Sequence, residues 1–165
     1  MQIVGVIVSQ MSPPSCRLFS LAQGKDACFK TNNINAGTSS CHGKNSCRSV
    51  SDSTVGNDSC QGEFACSSVQ NSTIYDGSCQ GDYSCEAVKN SIIGTGSCTD
   101  GGDSGSHDYS CDALESITIG NNSCNGGSVY TGGVCYQCKH NVPDNACNQG
   151  ITDDMDSNGF CNYCK

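Results

Sequence analysis

Ser59-Cys-Gln-Gly-Glu-Phe-Ala-Cys66 and Ser78-Cys-Gln-Gly-Asp-Tyr-Ser-Cys85 are nearly the same eight-residue phrase, written nineteen residues apart. Working outward, Cys41, Cys60, Cys79 and Cys98 form one series with that step, and Cys28, Cys47, Cys66 and Cys85 form a second. Five residues lie between the two cysteines of a phrase, and twelve lie between one phrase and the next. Other columns keep the same register. Val50, Val69, Val88 and Leu114 share one; Val55, Ile74, Ile93 and Ile119 share another. Ser40, Ser59, Ser78, Ser97 and Ser123 each precede a first-series cysteine, and Gly43, Gly62, Gly81 and Gly126 each follow one by two residues. The fourth copy breaks step once: seven extra residues between Cys98 and Cys111, within 100–108, delay the pattern until Cys124 resumes it. Several independent columns agreeing over successive copies are the signature of a repeat architecture.

A nineteen-residue unit has room for about three short strands and three turns. Ser72-Thr73-Ile74 alternates as a strand with one buried face, whereas Asp76-Gly77 and Gly56-Asn57-Asp58 carry turn chemistry. No stretch shows helical periodicity. Each unit owns only one or two aliphatic side chains, too few to fold alone, so the units must stack. The expected fold is all-β: a disulfide-stapled β-solenoid of 19-residue coils. About five or six coils at ~4.8 Å per step would make a rod of roughly 25–30 Å. Residues 1–27 read as an N-terminal extension, 28–134 as the repeats and 135–165 as an irregular cysteine-rich C-terminal cap.

Composition supports that reading. Sixteen cysteines in 165 residues accompany 35% apolar residues, twenty glycines and no tryptophan, too little apolar matter for a conventional core. An even number of cysteines at this density predicts disulfides and an extracellular, cell-surface or otherwise oxidising, lumenal setting. A net charge of −8 argues against nucleic acid or an anionic membrane surface as partner. The longest apolar run, Ile3 to Val8, is too short to span a membrane and lacks the basic leader and cleavage site of a signal peptide.

The insertion bears on which cysteines pair. A bond closing each short loop tolerates extra residues inside the loop, which favours Cys41–Cys47, Cys60–Cys66, Cys79–Cys85 and Cys98–Cys111. Extended upward the scheme gives Cys16–Cys28, and downward it pairs Cys124 with Cys135 or Cys138, leaving two bridges for the cap. Rungs between neighbouring coils, such as Cys41–Cys60, are the alternative, because stacked Cα atoms also come within bridging distance. Cys135-Tyr-Gln-Cys138 and Cys161-Asn-Tyr-Cys164 would suit zinc in a reducing compartment, but beside so many bridged cysteines disulfides are the expectation.

Asp154, Asp156 and Asn158 place oxygen ligands at alternate positions before Gly159, as calcium loops do. With Val142-Pro-Asp-Asn-Ala-Cys147 this segment resembles the acidic loops of type-3 thrombospondin repeats, which implies a calcium site. A complete EF-hand is excluded, because its twelfth position would be Lys165. Between the paired cysteines run Glu63-Phe64, Asp82-Tyr83 and Asp108-Tyr109, with Lys44 above: an aromatic ladder flanked by acids, and a candidate binding strip or cation bridge. Sequons at Asn57, Asn71 and Asn121 are candidate glycosylation sites. Thr54, Thr73, Ile92 and Thr118 form one incomplete column of the kind ice-binding faces use, next to a column containing Tyr75. His42, His107 and His140 are scattered and pair with no nucleophile in the repeat frame, so no enzyme is expected.

The unit from Ser78 to Cys85, together with the tail Gly159-Phe-Cys-Asn-Tyr-Cys164, resembles uncharacterised cysteine-rich repeat proteins of unicellular algae. That resemblance covers roughly residues 40–165 and implies a repeat architecture in a surface or lumenal setting, without an activity. The expected function is a non-enzymatic scaffold with protein partners in a cell-surface matrix, filament or larger complex. Calcium-dependent binding of glycans or proteins and ice binding are the alternatives.

Overall fold

In the computed structural model, the described residues are 16–18 (backbone), 24–99, 110–125, 135, 137–148 and 161–164. Six strands form one sheet: β1 (Cys16–Leu18), β2 (Asn32–Ala36), β3 (Ser51–Val55), β4 (Thr73–Ile74), β5 (Ile92–Ile93) and β6 (Thr118–Ile119). Their order follows the chain, and every neighbouring pair is parallel. Val55 lies beside Ile74, Ile74 beside Ile93 and Ile93 beside Ile119, so each step along the sheet advances one repeat. The seven-residue insertion leaves no trace in this register. Among the described residues the chain is thus all-β and disulfide-rich, apart from one 3-10 turn at Asn162–Cys164.

Alternation decides what is inside. In β3 the inward Ser53 and Val55 are buried while Asp52 and Thr54 are exposed, the two-residue period of a half-covered strand. Val55, Ile74, Ile93 and Ile119 stack as one fully buried column, and Val50, Val69, Val88 and Leu114 as a second. Cysteines that are 0% exposed complete the interior.

Among the described residues each unit from β2 to β6 forms one strand, not three. An isolated-bridge column, Ser51–Gln70–Lys89–Glu115, runs just ahead of the strands. Elsewhere the units stack as turns, and the reason is local. Residues such as Asn45, Cys47 and Ser49 have φ of 56°, 50° and 57°, and such alternation curls the chain where a strand would extend it. Stacking still pairs the backbone: the Cys47 N–H donates to Ala65 O, Cys66 to Ser84 O and Cys85 to Ser110 O, each at 2.9–3.0 Å.

The serine and glycine columns have a physical cause. Ser78 Oγ donates to Gly94 O (2.6 Å) and accepts the Ser97 N–H (3.4 Å); Ser97 Oγ donates to Gly120 O (2.6 Å) and accepts the Ser123 N–H (3.0 Å). Each hydroxyl therefore serves two backbone groups of the next unit, which alanine could not do. Among the described residues no buried side-chain N or O lacks a partner. At Gly62 an added Cβ would lie 2.3 Å from Gly81 O, so only glycine permits that approach.

The register also continues past residue 135, where the spacing of the cysteines suggested a cap would begin. Val142 bridges Ile119, Cys124 N–H donates to Ala146 O (3.0 Å), and Asn145 N–H donates to Asn121 O (2.8 Å). Residues 141–147 are one more layer of the stack, and Cys147 stands in the first cysteine column.

Candidate functional site

The stacked turns 24–30, 43–49, 62–68 and 81–87, continued by 110–113, make one edge of the molecule. In turn 62–68 the Ala65 N–H donates to Gly62 O (3.3 Å) and Ser67 N–H to Phe64 O (3.0 Å). These bonds bring the Cα atoms of Cys60 and Cys66 to 5.6 Å, and a disulfide closes the turn. Cys41–Cys47 and Cys79–Cys85 close their turns in the same way, and Cys98–Cys111 closes the enlarged one. Cys124 is joined to Cys135, Cys138 to Cys164 and Cys147 to Cys161. The cysteines of the two CxxC sequences are thus held as disulfides and not as thiolate ligands. Cys16 does not occupy the first-series column, since its backbone lies beside Ile34 in the sheet. Its side chain, and with it a Cys16–Cys28 bond, lies outside the described residues.

The edge displays the aromatic pair. Phe64 and Tyr83, at φ 56° and 58°, stack with ring centroids 5.1 Å apart and an interplanar angle of 15°. Holding such residues in the left-handed region costs about 1 kcal/mol each, which the closed turn and the stacking between units offset. Lys44 reaches Glu63 at 2.6 Å, and this hydrogen bond and charge raise the lysine pKa above its usual value. The Glu63 N–H donates to Asp82 Oδ1 at 2.7 Å, so one oxygen of that carboxylate already serves the backbone above. Higher on the edge, Lys30 and Arg48 lie 5.5 and 5.8 Å from the ring centre of Phe29, which is 46% exposed. Asp108 and Tyr109 lie outside the described residues, as do the calcium candidates Asp154, Asp156 and Asn158.

Two carboxyls that the sequence did not single out matter here. Glu86 and Asp112 occupy the same position of successive turns, with the Ala113 N–H donating to Glu86 O. Burial raises both pKa values, that of Asp112 to about 6, with the Glu86 charge adding to the rise. The signal was present, because 86 and 112 differ by one repeat plus the insertion.

The sequons differ in environment. Asn57 Oδ1 accepts the Thr38 N–H (2.9 Å) while its Nδ2 donates to Asp76 Oδ2 (3.3 Å); Asn121 is similarly engaged with Thr95 and Asp144. Asn71 is exposed, at φ 48°. On the sheet face the register sets Thr54, Thr73, Ile92 and Thr118 side by side, with Tyr75 (49% exposed) next to them. His42 is half-buried and His140 exposed, far apart in the stack, and His107 lies outside the described residues.

Fold and edge together define a disulfide-rich, all-β chain of stacked cysteine-bearing units joined by a parallel sheet. The chain belongs to the family described as Domain of unknown function (DUF7640), whose model matches residues 19–129. No curated protein and no solved structure matches it. The seven bridges among the described residues fit an extracellular or otherwise oxidising environment. Among the described residues no helix is long and apolar enough to cross a membrane.

Proposed function

We propose that the chain is a β-solenoid serving as a non-catalytic scaffold at a cell surface or in an extracellular matrix, engaging a protein partner through the turn edge. The observation that carries the reading is the Phe64–Tyr83 stack, held at 5.1 Å between disulfide-closed turns and flanked by the Lys44–Glu63 pair. Rigid aromatic side chains already fixed in place lose little entropy on binding, which is why such residues dominate interfaces. The staples Cys41–Cys47, Cys60–Cys66 and Cys79–Cys85 support this edge without a large core.

The double variant Phe64→Ala/Tyr83→Ala tests the reading. The expected outcome is a folded protein, by circular dichroism and Tm, whose retention of the partner held by the wild-type chain falls about ten-fold or more. Retention unchanged by this variant but abolished by Thr54→Lys on the sheet face would move the site off the edge and sink the reading.

Calcium-dependent binding is the second reading, resting on the alternate oxygen residues Asp154, Asp156 and Asn158 before Gly159. A calorimetric titration with calcium that shows no heat removes it. Ice binding draws less support, since Ile92 interrupts the threonine column and Tyr75 projects beside it; absence of thermal hysteresis removes that too.

A further inference from the structure

Two CxxC sequences meet at the C-terminal end of the stack, and neither is closed on itself. Cys135 is bonded to Cys124, Cys138 to Cys164, and Cys161 to Cys147. The sulfurs of Cys135, Cys138 and Cys164 all lie within 4.8 Å of one another, as do those of Cys135, Cys147 and Cys161, and those of Cys111, Cys124 and Cys135. Cys135 belongs to all three sets. Among the described residues, the bridges of the middle turns, Cys41 to Cys85, bring no third sulfur so near. Exposure differs as well. Of the residues in the seven bridges, only Cys164 is not buried, and its partner Cys138 is 6% exposed where Cys124 and Cys135 are 0%.

We propose that this end is a thiol–disulfide exchange site, at which an external thiol opens Cys138–Cys164 and the released thiolate closes Cys135-Tyr-Gln-Cys138, freeing Cys124. In the first step the external thiolate attacks Cys164 Sγ. The Cys138–Cys164 bond breaks, a mixed disulfide forms on Cys164, and Cys138 leaves with the electron pair. In the second step the Cys138 thiolate attacks Cys135 Sγ; the Cys124–Cys135 bond breaks, Cys135–Cys138 forms, and Cys124 leaves as the thiolate. Each step consumes one S–S bond and makes one, so no oxidant or further reductant is required. A thiolate must lie near the disulfide it attacks, and among the described residues this end meets that condition while the middle bridges do not. The buried middle bridges lack both an entry and a neighbour.

The experiment treats the full-length native protein with reduced glutathione, quenches with acid, alkylates, and maps peptides without reduction by mass spectrometry. The expected products are glutathione on Cys164, a Cys135–Cys138 bridge and an alkylated Cys124. Glutathione on Cys164 with Cys138 alkylated and Cys124–Cys135 intact overturns the proposal, as does opening of the middle bridges before Cys138–Cys164. The double variant Cys138→Ser/Cys164→Ser removes the entry without leaving an odd thiol. Its Cys124 should be alkylated about ten-fold more slowly or less, and labelling at the wild-type rate overturns the relay even if the first result is positive. Circular dichroism of the variant confirms that the stack is folded.

Discussion

The middle turns and the C-terminal turns of this molecule solve one problem with different lengths of chain. Cys41–Cys47, Cys60–Cys66 and Cys79–Cys85 each span six positions, whereas Cys98–Cys111 spans 13, Cys124–Cys135 11 and Cys147–Cys161 14. The Cα separations of the first five nevertheless agree at 5.6–5.7 Å. Beside the longer loops the sheet register continues unchanged, with Ile93 against Ile119 and Ile119 against Val142. Among the described residues the bridge fixes the base of the turn, and a longer loop leaves the register of the stack unchanged. Cooperation between the described units therefore runs through the strands, the valine column and the serine hydroxyls, and it is kept whatever the length of the loop.

The largest expected effect breaks the two regions apart. Cys98→Ala/Cys111→Ala and Cys60→Ala/Cys66→Ala delete equally buried bridges that enclose very different lengths of chain. Loop-closure entropy predicts a loss of about 3 kcal/mol for the first and about 2 kcal/mol for the second, before a packing loss common to both. Chemical unfolding under non-reducing conditions measures the difference. Equal losses, or the reverse order, would mean that the bridges act through native packing and not by restraining the unfolded chain.

Much of this was legible in the sequence because stacking forces like onto like. Columns such as Val55, Ile74, Ile93 and Ile119 could be written down from spacing alone, and they are neighbours in the sheet. The number of strands per unit was not legible, because it depends on backbone sign. Asn33, Asp52, Asn71 and Asn90 belong to residue types that tolerate positive φ, but Cys66, Cys85, Phe64 and Tyr83 adopt it only under tertiary constraint. Nor could spacing follow the stack beyond Cys135. The offset from Asp112 to the next layer is read from Gln137 donating to Asp112 O, a backbone contact with no residue signature. On the edge, Phe64 over Tyr83 followed from the period, whereas burial of Asp112 required knowing which side of the turn faces inward.

A smaller effect separates the acidic lower turns from the basic upper ones. Burial raises the Asp112 pKa from 3.8 to about 6, so the folded chain holds this proton more tightly than the unfolded chain does. Its favourable contribution is complete below pH 4 and is lost as pH rises through 6. Glu86, raised in the same direction by burial, adds to the trend. Asp112→Asn should therefore gain about 1 kcal/mol over wild type at pH 7, discounted for the part of the carboxyl that faces water. The gain should vanish by pH 4. Arg48→Gln, in the corresponding position of an upper turn, should show no such pH dependence. Thermal unfolding from pH 4 to 8 distinguishes the two; a gain for Asp112→Asn that persists at pH 4 would rule out titration as its cause.

The smallest effect is the sharpest test of what a bridge does. Deleting seven residues from 100–108 restores the Cys98–Cys111 separation to the six of the middle turns. With the bridge intact, the loop is closed in the folded and unfolded chain alike, so its length should barely enter the stability: a change within about 0.5 kcal/mol. With the bridge removed by Cys98→Ala/Cys111→Ala, folding itself must close the loop. The same deletion should then stabilise by about 0.7 kcal/mol, from the logarithmic dependence on length. The two deletions and the bridge form a double-mutant cycle, and the coupling is its readout. No coupling, with a large loss on deletion in both backgrounds, would mean that the inserted residues hold the stack together and that the loops are not free to vary.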